Sequence, residues 1–292
     1  LISADRMSPY HALLFPHHLT FSAKSRTPLR LFFPIPFFLF LLCSCAALYK
    51  TSSHPPLSKQ DVETVLSGIR EQESRVFSCY MNGQLTVKNW IWNSDFNILI
   101  VGTKEPYRIK IEVTHPWGHP IVHVLIDRTI LQVLSFQENT LYIGAFTAET
   151  LSEFFPGNFD TDLIWSVLRG HPILFEYQRA ISLRSDQVSL LDDKEDVVEI
   201  IDIHPDNHLP RQVSYPQQNI TMVFSDVQEN QGIRYARKIK VKNTKEKGSL
   251  VIENKEIGFN RTFPEQIFLI EKPPLFETFY LDDRQQSMFN DR

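Results

Sequence analysis

Hydrophobic positions change their spacing several times along this chain. Residues 31–42 form an uncharged apolar run. As a helix it would rise about 18 Å, against about 30 Å for the hydrocarbon core of a bilayer, so a permanent membrane span is not expected. From Ser58 the spacing is helical. Ser58-Lys-Gln-Asp61 offers a capping-box-like start, and Val62, Val65, Leu66 and Ile69 fall at i, i+3, i+4 and i+7. This predicts an amphipathic helix of about four turns with one stripe free for a sheet. From Val76 alternation takes over. It is clearest at 107–113, where Ile109, Ile111 and Val113 oppose Arg108, Lys110 and Glu112, the pattern of a half-solvated antiparallel strand. Runs at 121–126, 130–136 and 140–144 continue it as a meander.

Helical spacing returns between Thr147 and Gly170. Thr147 can cap a helix carrying Leu151, Phe154 and Phe155, which Pro156-Gly157 stops. Asp160 or Thr161 can begin a second helix with Leu163, Ile164, Trp165, Val167 and Leu168, closed by Gly170 and Pro172. Two short helices inserted in a meander have the layout of a lid. Strand-like runs resume at 187–191, 196–204, 211–215, 220–227, 233–242, 249–254 and 266–270. Their regular spacing suits an antiparallel barrel or strongly curved sheet. The expected fold is mainly β (α+β): an incomplete antiparallel β-barrel wrapped on an N-terminal amphipathic helix, with short lid helices.

The apolar run gains meaning from its flanks. Lys24, Arg26 and Arg30 precede it, as in a secretory signal. Leu42-Cys43-Ser44-Cys45 then resembles the bacterial lipobox, whose cysteine receives diacylglycerol before cleavage. Cys45 is the candidate lipidation site because Ser44 is small; Cys43 would place Leu42 at the cleavage edge. Residues 1–22 are expected to be an over-extended N-terminus, with Met7 or a later codon as the start. The organisation read from the chain is therefore 1–44 over-extended N-terminus and signal peptide, 45–57 lipidated tether, 58–281 half-barrel domain, and 282–292 disordered tail.

Charge and sulfur follow from that division. Residues 1–44 hold Arg6, Lys24, Arg26 and Arg30 against Asp5, so the formal charge of −4 becomes −7 in the mature part. No nucleic-acid partner is expected, since neutralising phosphates needs a concentrated basic field. With Cys45 lipidated, Cys79 is the last thiol and an intramolecular disulfide is excluded; Cys79 reads as a small buried apolar residue.

Catalytic patterns are missing. There is no G-x-S-x-G, H-E-x-x-H, C-x-x-C, Walker or Rossmann glycine motif. His115 and His119 are four apart, but Pro116, Gly118 and Pro120 forbid the helix that would align them on a metal. Asp192, Asp193, Glu195, Asp196 and Glu199 read as a solvated strand end, with a weak cation site the alternative, and the basic run from Arg237 to Lys247 reads as a polar strand face, with contact to an anionic membrane surface the alternative. No enzyme activity, cofactor or metal is expected.

The loop Thr114-His-Pro-Trp-Gly-His-Pro120 turns sharply and carries Trp117 near its tip. Trp117 either folds back as a core plug or stands out as an apolar anchor for a membrane interface or partner. Residues 106–172 resemble the LolB family of outer-membrane lipoproteins and its LolB-like relatives in the LolA/LolB superfamily. The carriers of that resemblance are the strand at 107–113, the loop Pro116-Trp117-Gly118, a strand pair, a short helix, and Trp165-Ser-Val-Leu-Arg-Gly170-His-Pro172. In the last, the spacing from Trp to Gly is one residue longer than in the family. Leu209-Pro-Arg-Gln-Val213 and Phe263-Pro-Glu-Gln-Ile267 resemble that group's recurrent strand starts.

The resemblance implies an apolar cavity for acyl chains of lipoproteins or lipids, a membrane or cargo loop at Pro116, Trp117 and Gly118, and lid helices presenting Leu151, Phe154, Phe155, Trp165 and Leu168. It further implies a monomer held by its lipid on the periplasmic face of the outer membrane in a bacterial cell envelope, with a periplasmic carrier protein as a possible donor. The alternative is a structural or assembly lipoprotein with a filled barrel, serving as a scaffold in an envelope complex.

Overall fold

The computed structural model describes residues 55–89, 93–154, 159–245 and 248–281. The signal, Cys45, the tether up to residue 54, Phe155 and the tail from residue 282 lie outside the described residues.

Helix α1 (Lys59–Ser74) forms where the helical spacing starts. Ser58 caps it: its Oγ accepts the Asp61 N–H at 3.2 Å, and the Asp61 carboxylate accepts the Ser58 N–H at 3.3 Å. Val62, Val65, Leu66 and Ile69 are its buried stripe.

The first meander comprises β1 (Ser78–Asn89), β2 (Asn93–Thr103), β3 (Arg108–Thr114), β4 (Pro120–Asp127), β5 (Ile130–Ser135) and β6 (Thr140–Ala145). Helices α2 (Ala148–Ser152) and α3 (Thr161–Arg169) follow. The second meander comprises β7 (Arg179–Arg184), β8 (Gln187–Leu191), β9 (Val197–Ile203), β10 (Pro210–Tyr215), β11 (Ile220–Asn230), β12 (Ile233–Asn243) and β13 (Gly248–Phe259). A short terminal strand, β14 (Glu277–Tyr280), completes the set.

Among the described residues these strands form one sheet in the order β14-β6-β5-β4-β3-β2-β1-β13-β12-β11-β10-β9-β8-β7. Every neighbouring pair is antiparallel except β14 beside β6. The two meanders meet at a seam where β1 pairs with β13, from Cys79 opposite Phe259 to Asn89 opposite Gly248. β7 and β14 are the free edges, so the barrel is incomplete.

Alternation sorts side chains between the two faces. Ile109, Ile111 and Val113 of β3 face inward, beside Val122, Val124 and Ile126 of β4, into the main core that also takes α1, α2 and α3. The outer face of the first meander is also covered. After β13 the chain crosses it as a strap, and Phe263, Ile267, Phe268 and Ile270 bury Val101 and Leu125. Arg108 holds the strap, pairing with Glu265 and lying 4.4 Å from the centre of the Phe268 ring.

Two expectations are corrected here. Residues 266–270 are not a strand: Glu265–Phe268 is a 3-10 turn after Pro264 that presses Phe268 onto the outer face. The similar Pro210 does begin a strand. Glu199 is not at a solvated strand end; it points inward from β9 and is fully buried.

Candidate functional site

An apolar cavity of about 90 Å³ lies between the inner face of the sheet and the two short helices. Its floor is built from β1 to β4 and from β12 and β13, through Leu85, Ile98, Ile100, Ile111, Val113, Val122, Val124, Ile126, Val241, Leu250 and Ile252. Its roof is Leu151 and Phe154 at α2, Phe159 before α3, and Ile164 and Val167 of α3. All of these side chains are aliphatic or aromatic, so water inside would find no hydrogen-bond partner and the cavity stays dry.

The helices start where the sequence places caps. Thr147 Oγ1 accepts the Thr150 N–H at 3.1 Å, and Asp160 Oδ1 accepts the Leu163 N–H at 2.8 Å. Gly170, at φ +68°, ends α3 in the left-handed conformation that glycine adopts freely. Its carbonyl accepts the Ala236 N–H at 2.6 Å, fastening this end of α3 to β12.

The expected lid residues divide into two roles. Leu151 and Phe154 reach the cavity. Trp165 and Leu168 are buried elsewhere, against Gly102 of β2, where an added Cβ would lie 2.5 Å from Leu168 Cδ2 and 3.3 Å from Trp165 Cζ3. The cavity is lined from α3 by Ile164 and Val167 instead. The sequence carries a signal for this in two apolar i, i+3 pairs, 164/167 and 165/168, offset by one residue and so by about 100° around the helix.

Below α3 the interior becomes polar. Arg169 is fully buried and donates from Nη2 to the Gln72 carbonyl at 2.6 Å, tying α3 to the last turn of α1; burial lowers its pKa to about 10, which leaves it charged at neutral pH. Glu199 Oε2 accepts the Phe175 N–H at 3.0 Å. Burial pushes this carboxyl up to about 8, against the hydrogen bond from Phe175 and with help from the negative Glu73. Burial and the neighbouring Arg169 charge lower His171 to about 3; its Nδ1 lies 2.9 Å from the Pro172 carbonyl. Cys79 is buried, and desolvation raises its thiol far above the ordinary range.

The 115–119 loop is a tight hairpin end. Gly118 N–H donates to the His115 carbonyl and His115 N–H to the His119 carbonyl, both at 2.8 Å. Gly118 takes φ +92°. Trp117 is 70% exposed, so it is not a core plug. Its indole stacks on the His115 imidazole with centroids 4.6 Å apart and planes 4° from parallel. Pro116 and Gly118 are likewise exposed. Among the described residues no group of three or more His, Cys, Asp or Glu side chains could hold a metal.

The fold and site thus define an open, strongly curved antiparallel sheet enclosing an apolar cavity beneath short helices. Among solved structures the chain is similar to a DUF1329 family protein from Desulfovibrio piger, at 10% identity over 71% of this chain and 97% of that one, with a TM-score of 0.49. It is also similar to a LolA superfamily protein from Nitrosomonas europaea, at 13% identity over 72% of this chain and 97% of that one, with a TM-score of 0.47. A third is a domain assigned to outer membrane lipoprotein sorting from Vibrio parahaemolyticus, at 11% identity over 71% and 97%, with a TM-score of 0.47. No family model and no curated protein matches the chain.

Proposed function

We propose that this protein binds acyl chains of lipids or lipoproteins in its apolar cavity and serves their transfer or localisation in a bacterial cell envelope. On this reading it works without catalysis, as a monomer tethered to the periplasmic face of the outer membrane through a lipid on Cys45. A periplasmic carrier is the natural donor of its cargo. The observation that carries the reading is the cavity with wholly apolar walls. Each methylene moved from water into such a site contributes about 0.8 kcal/mol.

At about 90 Å³ the cavity is of the same order as apolar cavities of about 150 Å³ that take benzene. It holds a short apolar segment as it stands. A full acyl chain requires Leu151, Phe154 and Phe159 to swing outward while α3 stays fastened to α1 and β12.

The test is titration with a fluorescent fatty acid or lipopeptide, comparing the parent with Val124→Phe, which fills the floor of the cavity. The expected result is saturable binding by the parent and at least tenfold weaker binding by the variant, with folding retained. No binding by the parent, or equal binding by both, would favour the scaffold with a filled barrel.

A further inference from the structure

The two ends of the sheet differ. At one end α1 forms a closure: Arg75 Nη1 donates to the Gly232 carbonyl at 3.1 Å, Asn260 Nδ2 to the Arg75 carbonyl at 2.8 Å, and Lys104 pairs with Glu73 at 2.9 Å. The other end carries the 115–119 and 136–139 turns and the connection from β12 to β13. The cavity reaches from one end of the sheet to the other: its lining residues Val113, Val122 and Leu250 each lie within two residues of a strand terminus at this second end, and Ile126 lies next to one at the α1 end.

Among the described residues, two exposed apolar side chains stand on that rim. Trp117 is held outward by His115, whose ring lies 6.0 Å from Phe96. Leu275 is 93% exposed on a turn closed by the Phe276 N–H donating to the Pro273 carbonyl at 3.0 Å. This turn is at the same end because Glu277 N–H donates to the Asn139 carbonyl at 3.0 Å. It is braced from beneath in the same manner, Phe276 packing on Phe136 at 5.7 Å and Phe136 on His123 at 4.9 Å. Three strand spacings, β4 to β5 to β6 to β14, separate the two turns, or roughly 15 Å.

We propose that the turn of residues 273–276 acts with the 115–119 loop as a two-point contact that docks this end of the sheet on a lipid bilayer. An acyl chain would then pass from the membrane along the inner face into the cavity. The proposal rests on the acyl-binding reading and adds to it a second membrane contact and an orientation.

Two apolar points roughly 15 Å apart suit a fluid bilayer, which accepts them without matching shape; a stable protein interface instead buries a continuous patch of about 1,000 Å² or more. The chain length permits the pose. Leu57 N–H donates to Ser182 Oγ at 3.0 Å, fixing where the tether leaves the body. The stretch from Cys45 to Leu57 reaches about 40 Å when extended, comparable to the length of β1.

Leu183 provides the control, because it is 72% exposed but lies toward the α1 end. Leu275, Trp117 and Leu183 are each replaced, one at a time, by the photoreactive benzoylphenylalanine in the full chain. Each variant is illuminated on vesicles of phosphatidylethanolamine and phosphatidylglycerol carrying labelled lipid. The expected result is lipid adducts at positions 275 and 117 at least fivefold above those at 183. Adducts at 117 without 275, equal adducts at 183, or none at either rim position would overturn the two-point docking. Fatty-acid titration of the same variants keeps the outcomes separate: retained binding without rim adducts rejects the docking alone, and lost binding by the parent rejects the acyl-chain reading.

Discussion

Glu199 and His171 are buried titratable residues whose burial gives stability opposite pH slopes. The Glu199 carboxyl rises from 4.5 to about 8, so the folded state holds a proton that the unfolded state releases, and stability falls as pH climbs through that window. His171 drops from 6.5 to about 3, so the unfolded state gains a proton first, and stability falls as pH descends through that window. Between about 4.5 and 6.5 the two slopes offset each other. Chemical denaturation across pH should therefore show a plateau there, with loss on both sides. Glu199→Gln keeps an acceptor for the Phe175 N–H and removes the ionisation. It should flatten the alkaline side and be more stable than the parent by roughly 4 kcal/mol at pH 8, while lying within about 1 kcal/mol of it near pH 5. An alkaline slope unchanged by the substitution would assign that loss to another group.

At the level of elements, glycines show which helix faces are pressed and which are open. Gly102 lets Trp165 and Leu168 lie directly on β2, and a Cβ there would stand 2.5 Å from Leu168 Cδ2. Gly68 on α1 has nothing within 4 Å of an added Cβ. Gly102→Val should therefore cost about 1–3 kcal/mol in denaturant titration and loosen α3. Gly68→Ala should be neutral or stabilising by up to about 1 kcal/mol through helix propensity. Equal effects of the two would contradict the packing described for α3.

The helices were the most legible elements, because Ser58, Thr147, Asp160 and Gly170 mark their ends chemically. β3 was equally plain, since its outer face carries Arg108, Lys110 and Glu112. β2 was harder to delimit. It reads as a nearly continuous apolar run because the strap covers its outer face at Val101, a cover the local sequence does not announce. β7 and β14 had no signal of their own, their strand state depending on neighbours distant in sequence. At the site, Leu151 and Phe154 could be anticipated from helical spacing. The turn placing Ile164 and Val167 over the cavity, in place of Trp165 and Leu168, is fixed by the space at Gly102.

Across the whole molecule, the proposed lipid and the proposed docking rim act together. Cys45→Ser should move most of the protein from the membrane to the soluble fraction on cell fractionation, since two interfacial side chains without an acyl anchor give only weak attachment. Unchanged fractionation would show that Cys45 is not the main anchor. The seam between β1 and β13 has a separate consequence, for the order in which the molecule assembles. β1 can gain β2 as soon as the first hairpin emerges, but its other edge waits for a partner that begins with Cys79 opposite Phe259. That wait lasts until the chain has emerged as far as β13. Throughout it a 12-residue strand presents a bare hydrogen-bonding edge. Such an edge recruits strands from other chains, so the newborn protein depends on being kept apart from its own copies until its last long strand arrives.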